Sequence, residues 1–176
     1  MKTYIIYNSK TGFTKRYADW IAEELGLGAQ PYKGFDIKAL NGDDTVVFCG
    51  RIMAGKIDCL KDLKKLLSEK QVNSLILAAV GATPAASEAA INTIWANNLT
   101  ADEMDKIPHF YLEGGIDYEK MGFGERTILK AAIKFLTNKK DKTSVEAELE
   151  RVMGSSFDNT SRDNLAPLLG LVRNQG

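Results

Sequence analysis

The chain has 176 residues, with 23 Lys+Arg against 23 Asp+Glu and a formal net charge of zero. That length predicts a single domain over 1–176, with a core large enough to need neither disulfide nor metal. Balanced charge argues against a nucleic-acid binder, which normally carries a basic excess, and no run approaches the ~20 apolar residues of a membrane span.

Taken in chain order, short apolar runs alternate with helical patterns. Tyr4 to Tyr7 reads as a strand ending at Asn8. Tyr17, Ala18, Ile21, Ala22 and Leu25 share one helix face, with Gly26 as a stop. A weak run near Gln30 to Lys33 suits an edge strand, where Pro31 is tolerated. Thr45 to Cys49 is a third strand, and Leu60, Leu63, Leu66 and Leu67 mark the next helix. Ser74 to Val80 is a fourth strand, and Ala89, Ala90 and Ile94 suggest a helix after Ser87. His109 to Leu112 is a fifth strand, with Ile128, Ala132, Ile133 and Leu136 as a helical stripe beyond it. Val145 to Met153 reads as an extra helix, Gly154 to Ser156 and Asp158 to Ser161 read as loop, and Leu165, Leu168, Leu169 and Val172 mark a last helix. All these stripes read as core packing. Continuously apolar strands alternating with helices predict a parallel sheet covered on both faces. In such sheets ligands sit outside the carboxyl ends of the strands.

The residues after each strand therefore carry the functional reading. Ser9-Lys10-Thr11-Gly12-Phe13-Thr14 lies between a strand and a helix. Gly12 permits a tight turn, and Ser9, Thr11 and Thr14 offer three hydroxyl donors beside a helix N-terminus. That combination predicts a phosphate site, although Thr14 can equally serve as a helix cap. The triphosphate-loop and dinucleotide glycine patterns are both absent. Cys49 and Cys59 with the lone His109 cannot build a Cys/His metal site, so no metal is expected. His109 reads as structural, Cys59 as an inert thiol, and Asp43-Asp44 as a solvated turn. With no signal-peptide pattern and few cysteines, a reducing cytoplasmic setting is expected.

Ser9-x-Thr11-Gly12-x-Thr14 after an N-terminal strand resembles the FMN phosphate loop of the flavodoxin family. The resemblance implies an α/β fold, a three-layer doubly wound five-stranded parallel sheet in the order 2-1-3-4-5, with FMN at the switch point. Flavodoxin is itself a standard example of that order. By the same resemblance Ser9, Lys10, Thr11, Gly12, Phe13 and Thr14 hold the phosphate. Gly50, Arg51, Ile52, Met53, Ala54 and Gly55 after the third strand, and Val80, Gly81, Ala82 and Thr83 after the fourth, frame the flavin ring. Gly55 permits a peptide reorientation at the ring's N5 edge. Neither ring loop contains Trp, Tyr or Phe, a departure from many flavodoxins. Gly114-Gly115, Asp117-Tyr118 and Gly122-Phe123 are similar to the flavodoxin-like relatives that include menaquinone-dependent protoporphyrinogen oxidase, which makes Tyr118 a candidate ring or substrate neighbour. The implied function is FMN-dependent electron transfer to a redox partner protein. An oxidoreductase acting on a quinone or porphyrinogen-like molecule, and a binding module without flavin, are the alternatives. Acidic residues concentrate between Asp102 and Glu119, and basic ones between Lys120 and Lys142. The acidic stretch is a candidate surface for orienting a redox partner.

Overall fold

The computed structural model describes residues 1–72, 74–142, 146–147, 150 and 154–175. Strands β1 (Thr3–Asn8), β2 (Ala29–Pro31), β3 (Thr45–Met53), β5 (Ser74–Gly81) and β6 (His109–Glu113) form a parallel sheet in the order β2-β1-β3-β5-β6. Counting these five along the chain, the order is 2-1-3-4-5, as anticipated. The sheet gains one strand beyond the expected five, because β4 (Lys56–Ile57) folds back antiparallel on the end of β3. Ala54 and Gly55 both have positive φ, 48° and 76°, as the tightest two-residue hairpin requires. This hairpin carries β3 four residues past the predicted end at Cys49.

Helices cover both faces. Helix α1 (Phe13–Leu25) packs Tyr17, Ala18 and Ile21 against Ile5, Val47 and Ile76 on one face. The last helix, α6 (Ala166–Gln175), seals the same face with Leu168, Leu169 and Val172. Helix α2 (Leu60–Glu69) brings Leu60, Leu63 and Leu67, and α3 (Glu88–Asn98) brings Trp95, to the opposite face over Ile6, Phe48 and Leu77. The strands lie between these layers and are apolar on both sides.

Three local expectations need correction. A short helix, α4 (Ala101–Lys106), occupies the stretch read only as acidic. Thr100 accepts from the Glu103 N–H and Glu103 accepts from the Thr100 N–H, a reciprocal cap that starts the helix. Asp44 is buried and accepts from the Lys2 and Asn41 amides, whereas its neighbour Asp43 is exposed. Asp158 belongs to a strand, β8 (Phe157–Asp158), paired antiparallel with β7 (Gly115–Ile116). The pairing needs Gly115, since a Cβ there would lie 2.2 Å from the Phe157 carbonyl oxygen. The extra helix anticipated over Val145 to Met153 falls outside the described residues, apart from Glu146, Ala147 and Glu150, which are helical.

Candidate functional site

A cavity of about 560 Å³ opens at the carboxyl ends of β1, β3 and β5. This is where strand order reverses in the sheet, so the loops diverge and leave a crevice. Its first wall is the turn into α1. Gly12 caps that helix with φ 105°, and its αL backbone lets the chain enter the helix sharply. No side chain caps the helix, so Thr14 is not the capping residue. Thr14 lies in the first turn, buried, and lines the cavity together with Thr11 and Phe13. The Ser9 hydroxyl is buried and has no hydrogen-bond partner in the protein. An unpaired buried hydroxyl costs about 1–3 kcal/mol; Ser9 belongs to the loop that walls the cavity but not to the cavity lining.

The second wall is the β3–β4 hairpin. Ile52, Met53, Ala54 and Gly55 line the cavity, and Asn98 of α3 fixes the hairpin from behind. Asn98 donates to the Gly55 carbonyl at 2.8 Å and accepts from the Ile57 amide at 2.8 Å. Any reorientation of the Gly55 peptide must break the first of these bonds. Val80, Gly81, Ala82 and Thr83 supply the floor. Gly81 leaves little space for a side chain, because a Cβ would lie 2.9 Å from Ile52 Cδ1 and 3.1 Å from the Tyr111 hydroxyl, and these side-chain ends would have to shift. Tyr111 donates to the Thr83 carbonyl at 2.6 Å, and burial drives its phenol well above the ordinary value.

The third wall was not foreseen. Helix α5 (Phe123–Asn138) presents Glu125, Ile128, Leu129 and Ala132 to the cavity, and α3 adds Ala90, Thr93 and Ile94. Glu125 is 6% exposed and gathers three donors. Lys10 of the α1 turn reaches Oε2 at 3.0 Å, Arg51 of β3 bonds Oε1, and the Gly122 amide donates to Oε2 at 3.0 Å. Arg51 also bonds Asp58 at 2.6 Å. Burial alone would raise the Glu125 carboxyl, but the bonds from Arg51, Gly122 and Lys10 outweigh it and hold the group at about 2. One carboxylate thus ties α5 to the α1 turn and to the end of β3.

Of the residues singled out in the sequence, twelve line this cavity: Thr11, Phe13, Thr14, Arg51, Ile52, Met53, Ala54, Gly55, Val80, Gly81, Ala82 and Thr83. Lys10 is turned toward Glu125, and Gly12 serves the backbone turn. Gly50 sits within β3, where a Cβ would lie 2.4 Å from Ile57 Cγ2, so the fold-back of β4 explains the glycine. Tyr118 is half-buried beside Ser156, whose hydroxyl accepts its amide at 3.0 Å, and lies outside the cavity lining. The contribution of α5 was missed because Ile128 and Ala132 sit in a pattern that also describes a core helix. Glu125, three residues after Gly122 at a helix start, was the one readable signal.

The remaining chemistry is structural. His109 Nδ1 donates to the Ile107 carbonyl at 2.7 Å and the ring stacks edgewise on Trp95. Burial pushes the Cys49 thiol up to about 12 and raises Cys59 as well, so neither is a ready thiolate. No group of three or more potential metal ligands occurs among the described residues. Among them no helix is long and apolar enough to cross a membrane.

This sheet order, with a crevice at the reversal point walled by the first strand–helix turn, is a doubly wound α/β architecture. The family model described as "Flavodoxin domain" matches residues 4–144, so the chain belongs to the flavodoxin domain family. A solved structure titled "Structure of a flavodoxin from the domain Archaea" is similar at 12% identity and TM-score 0.39, covering 87% of this chain and 94% of that one. No curated protein matches the sequence.

Proposed function

We propose that the protein binds FMN in this cavity and acts in electron transfer. The observation that carries the reading is the joining of a hydroxyl-rich turn, with the orphaned Ser9 hydroxyl, to an apolar slot at the strand-order reversal. FMN supplies one- and two-electron redox chemistry when bound. Thr11, Thr14, Ser9 and the first amides of α1 bind its phosphate. That part needs no cation, because Lys10 is engaged by Glu125. Ile52, Met53 and the Val80 to Thr83 segment bound the slot for the ring and exclude water from it. Asn98 holds the Gly55 carbonyl at a fixed orientation. The acceptor is a redox partner protein, and the setting is cytoplasmic, where Cys49 and Cys59 stay reduced.

A second reading, oxidation or reduction of a quinone or porphyrinogen-like molecule, is favoured by one feature. The apolar lining continues past the slot onto Ala90, Ile94, Ile128 and Ala132. Titration with FMN, followed by the visible spectrum and by fluorescence quenching, tests the common part. Saturable binding is expected, and a spectrum identical to free FMN at excess protein overturns both readings. Thr11→Val with Thr14→Val weakens FMN about tenfold or more and leaves riboflavin nearly unchanged. Photoreduced holoprotein that passes electrons to a soluble quinone in repeated turnover selects the second reading.

A further inference from the structure

Among the described residues, helix α5 carries large exposed apolar side chains that no other helix matches. Phe123 is 88% exposed, Phe135 70% and Ile128 50%. Ile128, Ala131 and Phe135 are spaced three and four apart, so they form one stripe along the helix. The two phenylalanines are twelve residues apart, about 18 Å along the axis. Beside the stripe stand Lys130 and Lys134, both exposed and without an acidic partner among the described residues. The only acid in the helix is Glu125, which is buried in its clasp with Arg51 and Lys10. The solvent face of α5 therefore carries lysines and apolar side chains beside the uncharged Thr127, Thr137 and Asn138, with no exposed acid of its own, on a chain whose total charge is zero.

We propose that this face docks on an anionic lipid surface. Aromatic side chains at both ends of a helix, with lysines between them, suit the headgroup boundary. The rings enter the acyl edge while the long lysine stems let the ammonium groups stay at the phosphates. The rings stand out from a convex helix and are not gathered in a groove, so a deformable surface accepts them without preformed pockets. Charge complementarity selects an anionic surface, since each basic residue near one adds measurably to binding. Ile128 is also a cavity residue, so docking turns the cavity mouth toward the lipid. The inference rests on the helix surface alone and holds whether or not FMN binds.

Co-sedimentation of the full chain with vesicles tests it. The protein is expected to pellet with vesicles of phosphatidylcholine mixed with phosphatidylglycerol, to stay in solution with phosphatidylcholine alone, and to be released by high salt. Lys130→Glu with Lys134→Glu lowers partitioning about tenfold or more. Phe123→Ser with Phe135→Ser does the same. Both pairs are exposed, so thermal melts of the variants should match the parent and exclude unfolding as the cause. The proposal is overturned if the parent stays in solution with both vesicle types, or if the Phe variant binds as the parent does. It is also overturned if the Phe variant only abolishes a concentration-dependent dimer in sedimentation equilibrium, which makes the face a contact between copies. Competition by polyglutamate as effective as that of the anionic vesicles assigns the face to an acidic protein and overturns it too.

Discussion

Helices α5 and α6 both read as amphipathic, yet they are held in opposite ways. Helix α6 buries Leu168, Leu169 and Val172 in the same core as α1, and its attachment is the ordinary removal of apolar surface from water. Helix α5 buries only Leu129, Leu136 and Glu125, and neither leucine belongs to a core cluster of the sheet. Its strongest anchor is a carboxylate with three donors. Helix α5 is thus a wall for a cavity. A wall must leave space on its inner side and therefore cannot be fixed by close packing there.

Four substitutions test how these elements are held. Leu168→Ala is expected to have the largest effect, a loss of about 3 kcal/mol in denaturant unfolding, because Leu168 is fully buried and the site cannot collapse. Glu125→Gln should cost about 2 kcal/mol at neutral pH, as Arg51 and Lys10 lose a partner in a poorly solvated place. Its pH dependence is distinctive. The folded carboxyl lies near 2 against an ordinary 4.5, so its contribution is complete above 4.5 and is lost as pH falls through about 2. Parent and variant unfolding curves should therefore converge in strong acid; a gap that is independent of pH would show that the clasp is not ionic.

Asn98→Ala should cost about 1–2 kcal/mol, because the Ile57 amide and the Gly55 carbonyl both lose a partner. Faster amide exchange is expected at Ile57 and not in α6. The smallest effect belongs to Phe135→Ser, within about 0.5 kcal/mol by thermal melting, since the ring is largely in water. A larger loss there would mean that α5 packs as α6 does.

Much of the scaffold was legible because its signals are local. Strand runs such as Ser74 to Val80 are apolar throughout, and the first βα turn announces itself by Ser9, Thr11, Gly12 and Thr14. Twelve of the anticipated site residues meet at one cavity because loop positions follow from strand ends. Other features were hidden. Ile128 looked like a core residue and is half exposed at the cavity rim. Asp158 looked like loop and pairs as a strand with a segment more than 40 residues earlier. Asp44 looked solvated and is buried by the Lys2 amide.

The alternation of strands and helices, the parallel sheet and the hydroxyl-rich turn are written locally in the chain, since periodicity and turn chemistry act over a few residues. Only the tertiary structure decided that α5 walls the cavity while α6 takes the core, that one buried carboxylate joins Lys10 to Arg51, and that Phe123 and Phe135 face water. Those outcomes depend on which surfaces meet across long stretches of chain, and a helical stripe records that a face is apolar without recording what covers it.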